Sequence, residues 1–298
     1  MIFSFVERPE DLELFWSRVA TEASAARLWY KRDLRPRPLA TGHLCEEIRF
    51  EGVAGEELFG WFAYPVGARR VPAFLWLPPY GRSSVPPNEY GVREGFASLS
   101  FNHCGLPALH EERYRPSQGY FADGIDSPET WIFRRMIQNA FIAARVLQAL
   151  VEVDEGRIAA AGMSQGGGMA VWLGAICPIV KAVCADMPFL CRTRDIEARD
   201  LLRYPLKELQ DYADSVPLGY ERVSHTLSYF DTTHLAPLCK VPTQVSLGER
   251  DPASRPERVE ALFEALPGPK RLVRYPVGHE WTPDMVPNNR QWMLEHLG

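Results

Sequence analysis

The feature that most constrains this chain is a Gly-x-Ser-x-Gly pentapeptide at Gly162–Gly166. It follows the apolar run Ile158–Ala161 and precedes the small-residue run Gly167–Ala175, which favours a helix. Between a strand and a helix, this pattern is typical of a nucleophile elbow, a turn so tight that its glycine positions must lack side chains. The turn exposes the serine hydroxyl and aims the next backbone N–H at the same point. The pattern therefore predicts Ser164 as a nucleophile and the N–H of Gln165 as an oxyanion donor.

Two other functions of glycine-rich turns do not fit these residues. A dinucleotide-binding fingerprint needs a glycine where Ser164 stands. A P-loop needs a Lys-Ser or Lys-Thr pair after its last glycine, whereas Gly168 is followed by Met169 and Ala170. The pentapeptide alone leaves one alternative open, a structural turn whose glycines only permit close packing.

Short apolar runs alternate with amphipathic runs along most of the chain. The apolar runs are typical of buried strands and the amphipathic ones of helices. The runs that predict strands are Leu44–Phe50, Leu58–Tyr64, Ala73–Leu77, Phe96–Phe101, Ile158–Ala161, Ile179–Ala185, Val241–Leu247 and Arg271–Tyr275. Helices are predicted over Arg8–Tyr30, Gly167–Ala175, Pro256–Leu266 and Asn288–Leu297, and from a Ser127-Pro128 start through a buried stripe that ends at Val151.

This alternation predicts an α/β fold, and the elbow narrows it to the α/β-hydrolase fold, a mostly parallel central sheet with helices on both faces. We expect residues 1–298 to form a single domain. Residues 187–238 interrupt the alternation after the sixth predicted strand, and their charged and aromatic residues predict a cap-like helical insertion. It would cover the carboxyl edge of the sheet, where such folds bind ligands.

Composition excludes several classes of partner. The net charge is −5, and no long block of Lys and Arg occurs, which argues against nucleic acid. No apolar run approaches the roughly 18 residues of a membrane span, and no signal peptide is visible. The six cysteines form no Cys-x-x-Cys pair, which gives a zinc or redox site little support. We therefore predict a cytoplasmic protein with reduced thiols and neither a nucleic-acid nor a membrane partner.

A serine nucleophile needs a base, and this fold supplies its partners in the chain order serine, acid, histidine. His279 follows the last predicted strand, and Gly278 allows the sharp turn that would bring the imidazole over the elbow. The other histidines precede the serine, lie in the insertion or lie on the terminal helix. We therefore predict His279 as the base, with a capping or core histidine as the alternative.

The acid is expected where the preceding predicted strand ends, and two carboxylates stand there, Glu249 and Asp251. We favour Asp251 because it lies further into the loop and Pro252 fixes the chain beyond it. Glu249 is the second candidate, and Asp186, at the end of an earlier strand, is the third. The acid would hold the histidine in the productive tautomer.

The second oxyanion donor is expected in the loop after an earlier central strand, at Pro78–Arg82. The two prolines of that loop have no N–H, so the predicted donor is the backbone N–H of Tyr80. The Tyr80 ring, together with Phe189 and Trp281, is expected to line the substrate pocket. An aromatic side chain that only packs under a loop remains the alternative for Tyr80.

At these residues the chain resembles the acetyl xylan esterase and cephalosporin C deacetylase group, carbohydrate esterase family 7. The family's Gly-x-Ser-Gln-Gly-Gly and late His-Glu are matched by Gly162–Gly167 and His279-Glu280. Other segments that look like family segments are Pro9–Asp11, Trp131–Arg135, Asp186–Cys191 and Thr226–Asp231.

The resemblance implies an acetylesterase whose triad is Ser164, Asp251 and His279 and whose oxyanion donors are Tyr80 and Gln165. It also implies no metal or other cofactor, a small-molecule acetylated substrate such as a sugar ester, an intracellular location and a homo-oligomer, often a hexameric ring.

The chain departs from the family where Arg-Gly-Gln is usual, since Phe101–Gly105 retains only a glycine. The departure puts the loop geometry, the oligomer and the substrate in question, and Trp281 is bulkier than the residue expected after His-Glu. Two other functions stay open on the same scaffold: a peptidase or longer-chain acyl hydrolase, and a non-catalytic binding protein.

Overall fold

A computed structural model of the chain describes residues 7–33, 35–81, 91–103 and 119–298. Within these ranges, ten strands form one sheet. The strands are β1 Tyr30–Arg32, β2 Arg37–Pro38, β3 His43–Glu51, β4 Glu57–Pro65, β5 Val71–Leu77, β6 Ala97–Phe101, β7 Val153–Met163, β8 Val180–Asp186, β9 Thr243–Gly248 and β10 Lys270–Tyr275. The helices are α1 Leu12–Ala25, α2 Ile132–Gln148, α3 Gln165–Ile176, α4 Leu206–Ser215, α5 Gly219–Phe230, α6 Thr232–Leu235, α7 Pro256–Ala265 and α8 Met285–Leu297.

The sheet is mostly parallel, in the order β1-β3-β4-β6-β5-β7-β8-β9-β10, with β2 paired to β3. The pairs from β6 to β10 are parallel, whereas β1 to β4 form an antiparallel edge that joins β6. The predicted α/β fold with a mostly parallel sheet is confirmed.

Strand β7 demonstrates that both faces of the sheet are covered. Ile158 and Ala160 point into the larger core with α1, α2 and α3, while Ala159 and Ala161 point into a second core with Trp292 of α8. All four β7 side chains are fully buried. The continuous apolar run therefore reflects burial on two faces, as expected for a central parallel strand.

Two features of α2 were predicted wrongly. The helix begins at Ile132 rather than at Ser127, because residues 127–130 form a turn in which Thr130 Oγ1 donates to the carbonyl of Gly124. The helix ends at Gln148, so Val151 lies beyond it and is 79% exposed instead of buried. The turn therefore outweighs the preference of Ser127 for the N-cap position.

Between β8 and β9 the chain forms α4, α5 and α6 together with three short 3₁₀ turns, at Thr193–Asp195, Asp200–Leu202 and Ala236–Leu238. This helical insertion follows the eighth strand rather than the sixth. The two additional strands, β1 and β2, span three and two residues and are too short to leave a periodic signal. Of the described helices, none combines the length and the hydropathy needed to span a bilayer.

Candidate active site

Ser164 occupies the turn between β7 and α3, and its backbone is in a conformation rare for a non-glycine residue, φ 56° and ψ −116°. A Cβ at Gly166 would collide with the Leu77 carbonyl of β5, and one at Gly162 would lie against the backbone of Gly166. The prediction that both glycines are needed for the tight turn is confirmed. The Ser164 N–H donates to the carbonyl of Asp186 at 2.8 Å, which fixes the turn to the end of β8.

The structure brings Ser164, His279 and Asp251 together in one hydrogen-bonded chain. Ser164 Oγ lies 2.8 Å from His279 Nε2, and His279 Nδ1 lies 2.6 Å from Asp251 Oδ2. Although Ser164 is the N-cap of α3, its hydroxyl makes no capping bond and is directed to the imidazole. With the proton on Nδ1, the imidazole donates to the carboxylate and can accept the serine proton.

The carboxylate of Asp251 is fully buried, whereas the imidazole of His279 is 23% exposed. Asp251 Oδ1 accepts hydrogen bonds from the backbone N–H groups of Ala253 and Ser254, at 2.7 and 2.9 Å. These bonds stabilise the ionised carboxylate and leave Oδ2 aimed at the imidazole. The loop after β9 thus holds the carboxylate in one orientation.

Both ring nitrogens of His279 have other partners, so neither of the other two candidate acids bonds to it. Glu249 is exposed, and its backbone N–H donates to Tyr275. The Asp186 carboxylate accepts hydrogen bonds from Ser246 Oγ at 2.6 Å and Asn289 Nδ2 at 2.7 Å. Burial raises the pKa of Asp186, while these two donors oppose the rise.

The predicted oxyanion donors lie on the two chain segments that meet at the elbow. Gln165 is the first residue of α3, where a backbone N–H has no acceptor within the helix. Tyr80 follows β5, and the next N–H, of Gly81, points to Tyr120 Oη at 3.4 Å. A helix N-terminus also favours negative charge, so an oxyanion beside Gln165 would be stabilised.

The predicted pocket residues differ in their surroundings. The Tyr80 ring is half-buried and lies 4.8 Å from the ring of Tyr120. Phe189 is buried against Phe121, with ring centroids 5.7 Å apart, and its N–H donates to the Ser164 carbonyl. Trp281 is half-buried against a small cluster of apolar side chains around Met285 and Tyr275. Their role in binding a substrate remains a prediction.

Sequence reasoning missed two residues beside this site, Tyr120 and Glu208. Tyr120 Oη donates to Gln165 Oε1 at 3.0 Å. Glu208, on α4, accepts hydrogen bonds from the Tyr80 hydroxyl and, at 2.7 Å, from the Phe121 N–H. No sequence pattern marks either residue, because the chain separation to their side-chain partners is 45 residues for Tyr120 and 128 for Glu208.

The segment that departs from the family motif contributes a buried histidine. His103 lies against Phe101, with ring centroids 4.5 Å apart, and neither ring nitrogen has a hydrogen-bond partner among the described residues. Burial lowers the pKa of His103 to about 3, so the ring is neutral at pH 7. The rest of that motif, Cys104 and Gly105, and the loop residue Arg82 lie outside the described residues. Within the described ranges no group of three or more His, Cys, Asp and Glu side chains is placed to hold a metal ion.

Comparison with known proteins gives a family match over nearly the whole chain. Residues 4–296 match the acetyl xylan esterase (AXE1) family. Among curated proteins, the acetyl esterase Axe7A of Xylanibacter ruminicola is 19% identical over an aligned length of 300 residues, and the match covers 93% of this chain and 65% of the relative. The chain thus spans less than two thirds of that relative's length.

Two solved structures have the same fold over nearly their entire length. The acetyl xylan esterase from Paenibacillus sp. R4 is 25% identical, with a TM-score of 0.84 and coverage of 97% of this chain and 96% of the other. Acetyl xylan esterase 1 from Thermoanaerobacterium sp. JW/SL YS485 is 24% identical, with a TM-score of 0.85 and coverage of 98% and 95%. The family match includes the three hydrogen-bonded residues of the site, and this chain belongs to the acetyl xylan esterase family.

Proposed function

We propose that the protein is a serine carboxylesterase that removes acetyl groups from esters of sugars or similar alcohols. The observation that carries this proposal is the continuous hydrogen-bonded chain from Ser164 through His279 to the buried carboxylate of Asp251. Membership of a family described as acetyl xylan esterases supports the acetyl group and the class of alcohol.

In the first half of the reaction, Ser164 Oγ attacks the ester carbonyl carbon while His279 Nε2 takes its proton. Asp251 stabilises the imidazolium that forms and keeps its Nδ1–H in place. The carbonyl oxygen becomes an oxyanion, which the backbone N–H groups of Tyr80 and Gln165 would stabilise. Collapse of the tetrahedral intermediate breaks the ester C–O bond, and His279 gives its proton to the leaving alcohol.

In the second half, water enters the place of the alcohol. His279 takes a proton from this water as it attacks the acetyl carbonyl, and a second oxyanion forms at the same donors. Collapse releases acetate and returns the proton to Ser164. The cycle needs no group beyond the triad, the two N–H donors and water.

One contact supports a role for the insertion between β8 and β9 at this site. Its residue Glu208 contacts the Tyr80 hydroxyl, which places part of α4 beside the loop that carries a predicted oxyanion donor. We propose that residues 187–238 form a cap over the pocket within a single domain.

The predicted homo-oligomer would be tested by light scattering on the purified protein.

Hydrolysis of nitrophenyl acetate and of acetylated sugars by the wild type and by Ser164→Ala tests the proposal. We expect the variant to lose about four to six orders of magnitude in kcat, and a fluorophosphonate probe to label wild-type Ser164. Full activity in Ser164→Ala would exclude the mechanism. Parallel assays with nitrophenyl octanoate and a peptide anilide separate an acetylesterase from a longer-chain hydrolase or a peptidase, and a folded protein that is not labelled would indicate a binding function.

A further inference from the structure

A carboxylate of the insertion joins three parts of the chain beside the elbow. Glu208 Oε1 accepts the hydroxyl of Tyr80, and Oε2 accepts the N–H of Phe121 at 2.7 Å. Glu208 is only 7% exposed although it is a glutamate. A buried carboxylate needs hydrogen bonds that compensate for its lost hydration, and these two contacts hold the Glu208 side chain in one orientation.

A second side chain connects the two predicted oxyanion segments directly. The hydroxyl of Tyr120 donates to the Gln165 side chain at 3.0 Å and lies 3.4 Å from the Gly81 N–H. The Tyr120 ring also packs on the Tyr80 ring. The Tyr120 hydroxyl therefore contacts Gly81, which follows Tyr80, and Gln165, which follows Ser164.

The two contacts have a common geometric effect. One predicted oxyanion donor lies on the loop after β5, and the other lies at the start of α3. Glu208 holds the Tyr80 side chain through its hydroxyl. Tyr120 links the N–H of the next residue, Gly81, to the Gln165 side chain. A donor pair stabilises an oxyanion only when both N–H groups lie about 2.7–3.1 Å from the developing charge, so their spacing matters.

We propose that Glu208 and Tyr120 are positioning residues that hold the Tyr80 and Gln165 N–H groups at the spacing an oxyanion requires. This inference rests on the proposed esterase function. The helical insertion then helps to stabilise the transition state, because Glu208 on α4 keeps the loop after β5 in position.

Variants that remove one hydroxyl at a time test this role with the least disturbance of packing. Tyr120→Phe removes the link to Gln165, and Tyr80→Phe removes the link to Glu208 while keeping the Tyr80 N–H and ring. Tyr212→Phe is the matched control. It removes a hydroxyl on α4 that donates to Asp126, outside the oxyanion loop.

We expect Tyr120→Phe and Tyr80→Phe to lower kcat for nitrophenyl acetate about tenfold, because a misplaced donor loses transition-state binding. KM should stay within about twofold, and affinity for a trifluoromethyl ketone, whose hemiketal mimics the oxyanion, should fall by about the same factor as kcat. Tyr212→Phe should change neither quantity.

Two glutamate variants provide an independent test. Glu208→Ala should lower kcat at least as much as Tyr80→Phe. Glu208→Gln should recover much of that loss, because its amide oxygen can accept from Phe121 while its amide NH₂ donates to Tyr80. Thermal melting of each variant separates loss of position from loss of fold.

Three results would overturn the inference: kcat within twofold of the wild type in both tyrosine variants, a rise in KM in place of a fall in kcat, or activity that falls only in step with the folded fraction. Each of these leaves the esterase proposal intact if the wild type is active and Ser164→Ala is not. An inactive wild type that resists the fluorophosphonate would instead overturn both proposals.

Discussion

The two halves of the site are built in different ways. The half with the proposed nucleophile is held by the ends of neighbouring strands, where the Ser164 N–H donates to the Asp186 carbonyl and the turn requires Gly162 and Gly166. The half with the proposed oxyanion donors is held by side chains that are distant in sequence, those of Tyr120 and Glu208. Backbone contacts tolerate almost no change, whereas side-chain contacts can move. The two halves should therefore respond differently to substitution.

The largest effect is expected in the nucleophile half, from Asp251→Asn. The amide can present an N–H to His279 and favour the tautomer that cannot accept the serine proton, so we expect kcat to fall by about 10⁴. Steady-state kinetics with nitrophenyl acetate measures it. Because Asp251 Oδ1 also accepts from two backbone N–H groups, thermal melting must accompany the assay, and an unchanged kcat would remove Asp251 from the mechanism.

A smaller but still large effect is expected from Gly166→Ala. The new methyl group would collide with the carbonyl of Leu77, which is backbone and cannot move aside, so we expect a loss of about 3 kcal/mol in the free energy of unfolding. Urea denaturation measures it. Gly156→Ala, in β7, is the control. Its methyl group would meet only Asp154 Oδ1, at an ordinary contact distance of 3.6 Å. Equal losses in the two variants would contradict the account of the elbow.

Buried polar groups sharpen the comparison. Asp186, behind the elbow, has hydrogen-bond donors for both carboxylate oxygens, whereas His103, at the end of β6, has no described partner for either ring nitrogen. The hydrogen bonds of the buried carboxylate hold neighbouring elements together, whereas the buried imidazole without partners makes the stability of the fold depend on pH.

Acid should reveal that sensitivity as loss of stability. Because burial lowers the pKa of His103 to about 3, below its ordinary value of about 6.5, the unfolded chain binds a proton in this range that the folded chain does not. Stability should therefore fall as pH drops below about 6.5, by up to about 1.4 kcal/mol per pH unit from this residue. Urea denaturation at pH 7.5, 6 and 5 should give a shallower pH dependence for His103→Phe, and an unchanged slope would exclude His103 as its source.

The smallest effect is expected in the oxyanion half, from Gly119→Ala. The added methyl group would collide with the carboxylate of Glu208 and the hydroxyl of Tyr80, which are the ends of flexible side chains. We expect the fold to adapt, with a stability loss under about 1 kcal/mol, and kcat to fall about tenfold as the oxyanion loop shifts. A loss of stability as large as that of Gly166→Ala would show that the two halves are equally rigid.

The same division explains what the sequence could predict. The elbow, the strands around it and the positions of His279 and Asp251 depend on local patterns, namely apolar runs, glycines and the ends of strands, and the structure places all of them at one site. Glu208 looks in sequence like any helical glutamate beside Leu206 and Leu209, and its burial depends on a fold that brings α4 over the loop after β5.

The errors have the same physical origin. Residues 119–131 are organised by contacts within a turn, such as the bond from the Trp131 indole N–H to the Phe121 carbonyl, and this order displaced the expected start of α2. The preference for a serine cap at Ser127 cannot outweigh these contacts of the surrounding turn. The two short strands β1 and β2 were missed because pairing with β3, not their own sequence, defines them.

The contact between Asp186 and Asn289 has a consequence for how the protein matures. The amide that satisfies this buried carboxylate belongs to α8, which the ribosome produces after every strand of the sheet. During synthesis the support behind Ser164 is therefore incomplete until α8 docks. A truncation that removes Asn289 should therefore leave one Asp186 carboxylate oxygen without its donor, in the residue whose backbone carbonyl holds the Ser164 N–H.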